Sequence, residues 1–267
     1  MRELSASPDR IDIWVTRPDR ASDSGLLAQY RALLTADEQA RMQRFIRDQD
    51  RHRFLVTRAL TRSVLGRYLS MDGAALAFGK NRYGRPFLDN GGEAARSLSF
   101  NITHTHDCVV LGVTRQRTLG IDIESTGRDA ATLGIADRYF SALECRALNA
   151  LPAARQRQRF FAYWTLKESY IKARGMGLAI PLGKFSFDFA DSDTFEFDAD
   201  PSLSDNPAQW RFWQIGIDPD FLVSICASTL DTPLPALNPR AILPLQGDGD
   251  PLPFRPVAAS HGWPDQS

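Results

Sequence analysis

Two carboxylates stand two residues apart in Gly120-Ile121-Asp122-Ile123-Glu124. Alternate side chains of a strand share a face, so Asp122 and Glu124 point the same way, with Ile121 and Ile123 packed behind them. Carboxylates so placed repel each other unless a cation lies between them. Oxygen ligands suit a hard ion such as Mg2+, which takes one or two carboxylates together with substrate phosphates. An isolated Asp-x-Glu is more often the exposed face of an edge strand, so this pair gains meaning only from its company. Downstream runs Phe161-Ala162-Tyr163-Trp164-Thr165-Leu166-Lys167-Glu168-Ser169-Tyr170-Ile171-Lys172-Ala173. On a helix Trp164, Glu168 and Lys172 fall at successive i, i+4 steps on one face. As a plain surface pair, Glu168 and Lys172 would contribute roughly a few tenths of a kcal/mol. Beside a metal and a phosphate, Glu168 could ligate or accept a proton, and Lys172 could offset charge growing on a phosphate oxygen. Four lysines, Lys80, Lys167, Lys172 and Lys184, stand among 32 basic residues, so two of them five apart mark this helix. A third segment, Ser99-Phe100-Asn101-Ile102-Thr103-His104-Thr105-His106, reads as a strand ending in hydroxyls and imidazoles, groups that donate hydrogen bonds to phosphate.

These residues need elements to hold them. Residues 11–15 read as an opening strand, and Thr35-Ala36-Asp37-Glu38 as a helix start with acids in its first turn. Helical periodicity continues through Phe45 and again from Phe54 to Leu65. Residues 79–86 form a turn-rich stretch; 97–102 and 108–113 read as strands. A short polar link, 115–118, then leads into the carboxylate strand 119–123, which predicts a hairpin. Helices are expected over 136–150 and 155–174, the second ended by Gly175 and Gly177. Residues 185–189, 195–197, 210–217 and 221–227 alternate or run apolar as strands do. Half of the sixteen prolines lie between Pro233 and Pro264, which predicts an extended or disordered tail. Helices followed by strands occur twice, so the expected fold is α+β in two lobes, 1–118 and 119–228, followed by the tail 229–267.

Composition bounds the function. With 267 residues, 43% of them hydrophobic and 24% charged, the chain has room for one large core or two small ones. No run of about 18 apolar residues suggests a membrane span, and the N-terminal residues lack the apolar stretch of a secretory signal. Cys108, Cys145 and Cys226 are too scattered for a zinc site or a disulfide framework, so a cytoplasmic protein with reduced thiols is expected. Net charge is zero, although Arg31 to Arg67 holds nine arginines against four acids. That stretch has no nucleic-acid-binding motif and the chain no basic excess, so nucleic acid is not the expected partner.

Taken together the motifs resemble the Sfp-type 4′-phosphopantetheinyl transferases. That family is marked by a Gly-Ile-Asp-Ile-Glu strand and a Trp-x-x-Lys-Glu-Ser-x-x-Lys helix, here Gly120 to Glu124 and Trp164 to Lys172. Phe100-Asn101-Ile102-Thr103-His104 matches its Phe-Asn-x-Ser-His stretch with threonine for serine, and Asn81 to Pro86 matches its Gly-Lys-Pro turn with Arg85 for lysine. The likeness covers residues 10–228 in order. It implies two similar α+β lobes related by a pseudo-twofold axis, with the active site between them. It implies a monomer that moves phosphopantetheine from coenzyme A to a serine of an apo acyl or peptidyl carrier protein, using Mg2+ and releasing adenosine 3′,5′-bisphosphate. Asp122, Glu124 and Glu168 match the metal carboxylates, Glu168 also the base, and Lys172 the lysine on the coenzyme A phosphates. Thr103 and His104 match contacts to the 3′-phosphate, and Arg53, Arg85 and Arg41 match basic contacts to the nucleotide. The region after the metal strand, 125–140, matches the carrier-docking segment, with Leu133 or Ile135 as anchor and Arg128 and Arg138 as rim. Two other readings use the same residues: a metal-dependent nucleotide hydrolase, which needs no carrier, and a noncatalytic coenzyme A-binding protein, which needs no base.

Overall fold

The computed structural model describes residues 3–127, 133–190, 193–218 and 220–263. Chain order runs β1 (Arg10–Thr16), α1 (Ser24–Leu33), α2 (Ala36–Gln43), α3 (Asp48–Leu69), β2 (Phe78–Lys80), β3 (Pro86–Leu88), α4 (Gly92–Ser97), β4 (Leu98–His104), β5 (Val109–Arg115) and β6 (Leu119–Ser125). It continues with α5 (Ala136–Tyr139), α6 (Ala142–Ala150), α7 (Ala153–Arg174), β7 (Phe185–Asp188), β8 (Glu196–Ala199), β9 (Trp210–Ile217), β10 (Phe221–Ser228), β11 (Ala236–Leu243), β12 (Gln246–Pro251) and β13 (Arg255–Ala259). The fold is α+β.

Local signals set the helix ends. Thr35 and Glu38 form a reciprocal capping box on α2, each side chain accepting the other's backbone N–H. Ser141 and Glu144 do the same on α6, which splits the helical signal over 136–150: α5 stops at Tyr139, Phe140 is extended, and Ser141 starts the next helix. The long helix α7 ends where Gly175 turns left-handed, φ 62°.

The chain forms two compact units. One comprises residues to Lys80, Pro86–Gln116 and Leu237–Leu252. Its sheet has the order β12-β11-β1-β5-β4, with β5 antiparallel to both β1 and β4. Helix α3 buries Leu60, Val64 and Leu65 against Trp14, Phe100, Leu111 and Val113. Each such side chain contributes about 1.5–3 kcal/mol, an upper figure because the unfolded chain is itself partly collapsed. Arg62, 1% exposed, is held by Glu38 and by the carbonyls of Gly73 and Leu76.

The other unit comprises Asn81–Arg85, Arg117–Ala236 and the residues from Pro253. Its sheet runs β13-β9-β10-β6, all antiparallel, and α7 packs on β6 and β10. An aromatic core, including Phe140, Phe160, Tyr163, Tyr170, Phe187 and Phe212, fills the space around α7. Within it Lys167 forms a fully buried ion pair with Glu144 at 2.8 Å and donates to the carbonyls of Leu182 and Phe185. Burial pulls the Lys167 ammonium's pKa down and the Glu144 charge opposes that pull. The motif's first lysine is therefore a packing device that fixes α7 to α6.

Two expectations are corrected. The hairpin across 115–118 does not form: β5 pairs with β1 and β4, whereas β6 pairs with β10. The polar link carries a buried Arg117, which donates to Ser228 O, Thr232 Oγ1 and Pro233 O, so the link is anchored and not a hairpin tip. The proline-rich stretch is also no loose tail, since it contributes β11, β12 and β13. Proline loses only its own donor, and its carbonyl still accepts: Pro239 O takes the Leu252 N–H at 2.9 Å. Pro251 and Pro256 fall on β12 and β13, the outermost strands of their sheets, where a missing N–H is tolerated.

Candidate active site

Asp122 and Glu124 sit on β6 opposite Ser224 and Leu222 of β10. Beside them, α7 comes unusually close to the strand. A Cβ on Gly120 would lie 2.0 Å from Ser169 O and 2.4 Å from Ala173 N, so only glycine permits this approach. A buried polar network fixes the helix to the sheet: Ser224 Oγ donates to Thr165 Oγ1 at 2.7 Å, and Gln214 Nε2 donates to Ala162 O, Thr165 Oγ1 and Ser224 Oγ. Between Phe161 and Ala173 every residue is buried except Trp164, Glu168 and Lys172. The i, i+4 stripe seen in the sequence is thus the only part of that stretch open to a ligand.

The groups on the two elements act on one another. Lys172 Nζ pairs with Asp122 Oδ1 at 2.5 Å. Burial, and then the charge of Asp122, push the Glu124 carboxyl from 4.5 up to about 7; Glu168 adds to the push, while Lys172 and a hydrogen bond from Trp164 oppose it. Glu168 is raised by burial and by Asp122, against Lys172. Three carboxylates therefore share one ammonium. Among the described residues no group of three or more His, Cys, Asp or Glu makes a ready-built metal cage. The donor set still fits Mg2+, which needs one or two carboxylates and completes its shell with phosphate and water.

One consequence is measurable. A carboxyl with a raised pKa holds its proton more tightly folded than unfolded. Its neutral form costs nothing at low pH; the cost appears as pH rises past 4.5 and is complete above about 7. Glu124→Gln should therefore raise Tm in chelator at pH 8, with the gain shrinking toward pH 4. A gain independent of pH would mean that repulsion at Glu124 is not its source.

The other predicted residues fall as follows. In the first unit, Thr103 is buried on β4 and His104 is exposed at its end, opposite Val110 and Val109 of β5. Arg53 donates to Asp50 at 2.6 Å, and Arg41 stacks over Phe54. In the second unit Arg85 turns its fork onto backbone, donating to the carbonyls of Lys172, Ala173 and Leu119. It caps the end of α7 and ties it to β6, a role that its sequence match to a nucleotide contact did not suggest. Arg128 and the Leu133 side chain lie outside the described residues; Ile135 is 40% exposed, and Arg138 stacks on Tyr139.

Known proteins match this chain over most of its length. A family model described as the 4′-phosphopantetheinyl transferase superfamily matches residues 118–226, and one described as 4′-phosphopantetheinyl transferase, N-terminal, matches 21–116. The 4′-phosphopantetheinyl transferase HetI of Nostoc sp. is 34% identical over 177 residues, 66% of this chain and 73% of that one. A 4′-phosphopantetheinyl transferase of Bacillus subtilis is 30% identical over 213 residues, 80% of this chain and 90% of that one. The 4′-phosphopantetheinyl transferase Sfp of Bacillus subtilis strain 168 is 30% identical over 205 residues, 77% and 87% of the two chains. The chain belongs to the 4′-phosphopantetheinyl transferase superfamily. The superfamily match contains Asp122, Glu124, Glu168 and Lys172, and it ends at residue 226, before β11, β12 and β13.

Sequence reasoning missed four contributors here: Gly120 as a spacer, Trp164 as a donor to Glu124, Arg85 as a cap, and the Gln214–Ser224–Thr165 network. The glycine's place at the head of the carboxylate strand was the one signal that could have exposed its role.

Proposed function

We propose that this chain transfers 4′-phosphopantetheine from coenzyme A to a serine of an apo-carrier protein, with Asp122, Glu124 and Glu168 holding Mg2+. The observation that carries the reading is the open stripe of Trp164, Glu168 and Lys172 set against the paired carboxylates of β6. Bound there, Mg2+ would neutralise pyrophosphate charge. Glu168, made more basic by burial and by Asp122, accepts the proton of the carrier serine as its Oγ attacks the β-phosphorus. The bond from that phosphorus to the bridging oxygen breaks, and adenosine 3′,5′-bisphosphate leaves. Lys172 donates to the leaving phosphate, sharing its ammonium between that oxygen and Asp122. The chemistry asks for alignment and charge compensation more than for covalent help, which suits a site of rigid elements and few groups. Thr103 and His104 are assigned to the 3′-phosphate, with Arg53 and Arg41 toward the nucleotide.

The test is incubation with coenzyme A, Mg2+ and a panel of apo-carriers, read by mass spectrometry of the carrier serine. A phosphopantetheine mass gain that vanishes in chelator is expected. Adenosine 3′,5′-bisphosphate released from coenzyme A without a carrier, and no carrier gain, would replace this reading with the hydrolase.

A further inference from the structure

A cavity of about 690 Å3 lies in the second unit beside the candidate active site and is used by none of the steps above. It adjoins the site along both of the site's elements. Thr126 in its wall is two residues beyond Glu124, Phe161 is three residues before Trp164, and Leu222 stands opposite Glu124 on β10. Among the described residues four arginines line it, Arg155, Arg157, Arg159 and Arg255, and no carboxylate does. Arg155 and Arg255 are exposed, while Arg159 is laid flat over Phe189 at 3.7 Å. Phe161, Leu222 and Val257 give its wall apolar surface, beside polar surface from Thr126, Gln158 and Gln214. A smaller cavity of about 290 Å3 shares Arg155, Arg159 and Phe189 with it, so the groove continues along the start of α7.

A wall that mixes apolar side chains with arginines suits a protein interface, where arginine is the favoured charged residue. A small anion would leave the apolar part of the wall unused. A nucleic acid would find little attraction from a chain of zero net charge. We propose that this groove docks an acidic segment of the carrier protein next to its modified serine. An apolar side chain of that segment enters between Phe161 and Leu222, and its carboxylates pair with Arg155 and Arg255. The inference rests on the transferase reading. Position supports it, because a serine delivered to Glu168 must bring its flanking residues past Trp164 and Glu124. Arg255 and Val257 belong to β13, outside the matched superfamily region, so the C-terminal strands supply part of this surface.

The experiment replaces the two exposed arginines, Arg155→Glu and Arg255→Glu, singly and together, and measures carrier and coenzyme A kinetics for folded variants. The double variant should raise the carrier KM about tenfold, with kcat and the coenzyme A KM unchanged. A carrier whose acidic residues beside the serine are exchanged for lysine should recover on the double variant and lose on the unaltered chain. Wild-type carrier KM in the double variant overturns the docking surface, and a raised coenzyme A KM instead assigns the groove to the nucleotide and overturns it too. Either result leaves the transferase reading standing if the unaltered chain modifies the carrier. An unaltered chain that modifies no carrier overturns both.

Discussion

Glu168→Gln is expected to slow transfer about 10²–10⁴-fold while coenzyme A affinity stays within about threefold. Glutamine keeps the size of the side chain and its place in the open stripe of α7, so packing should not change. What is lost is the proton acceptor and the charge of one of the three carboxylates proposed to hold Mg2+, with Asp122 and Glu124 left to keep the ion. Burial and the neighbouring Asp122 raise the proton affinity of Glu168, which makes it a better base than an ordinary surface glutamate. Lys172 stays paired with Asp122, so the phosphate contact survives the change. Single-turnover transfer with saturating coenzyme A separates the chemical step from binding. A rate within threefold of the unaltered chain would reduce Glu168 to a helix-surface residue.

Gly120→Ala should be nearly as damaging without touching any reacting group. The added methyl would meet Ser169 O at 2.0 Å and Ala173 N at 2.4 Å, both backbone atoms of α7 that no rotamer change can move. The helix must lift from β6, and overpacking on this scale costs about 1–3 kcal/mol or more. Lifting α7 also strains the Thr165–Ser224–Gln214 network and the Arg85 cap, and carries Glu168 and Lys172 away from Asp122. Loss of stability in denaturant titration should therefore come with loss of turnover in the fraction that remains folded. A Gly120→Ala chain with unchanged stability and rate would show that the close approach of helix and strand is dispensable.

The sequence made the carboxylate strand and the helical stripe legible because both depend on short-range periodicity: two residues in β6, four in α7. It set Lys172 on the face of Trp164 and Glu168 but gave Lys167 no role. Five residues carry the chain well round the helical axis, so Lys167 turns into the core and Lys172 out to Asp122. The partner that decides this, Glu144, lies on another helix and is placed by the Ser141 cap. Arg117 misled in the same way. A polar link between two strands reads as a hairpin until its side chain is seen bonded to Ser228, more than a hundred residues away. The prolines misled because their density says what they cannot donate, and nothing about edge positions that ask for no donor.

The order in which the chain is made gives the late strands another meaning. β1 is the neighbour of β11 in the first sheet, yet some 220 residues separate them. At about 5–20 residues per second, β1 waits roughly ten to forty seconds after its synthesis before that flank can be sealed. β9 keeps an open side until β13 follows. Over that interval each sheet presents a row of backbone donors and acceptors able to capture another nascent chain. A stop codon or a poorly chosen fusion junction before Ala236 would make the interval permanent. The result would be recovered in inclusion bodies even with every residue of the candidate active site in place.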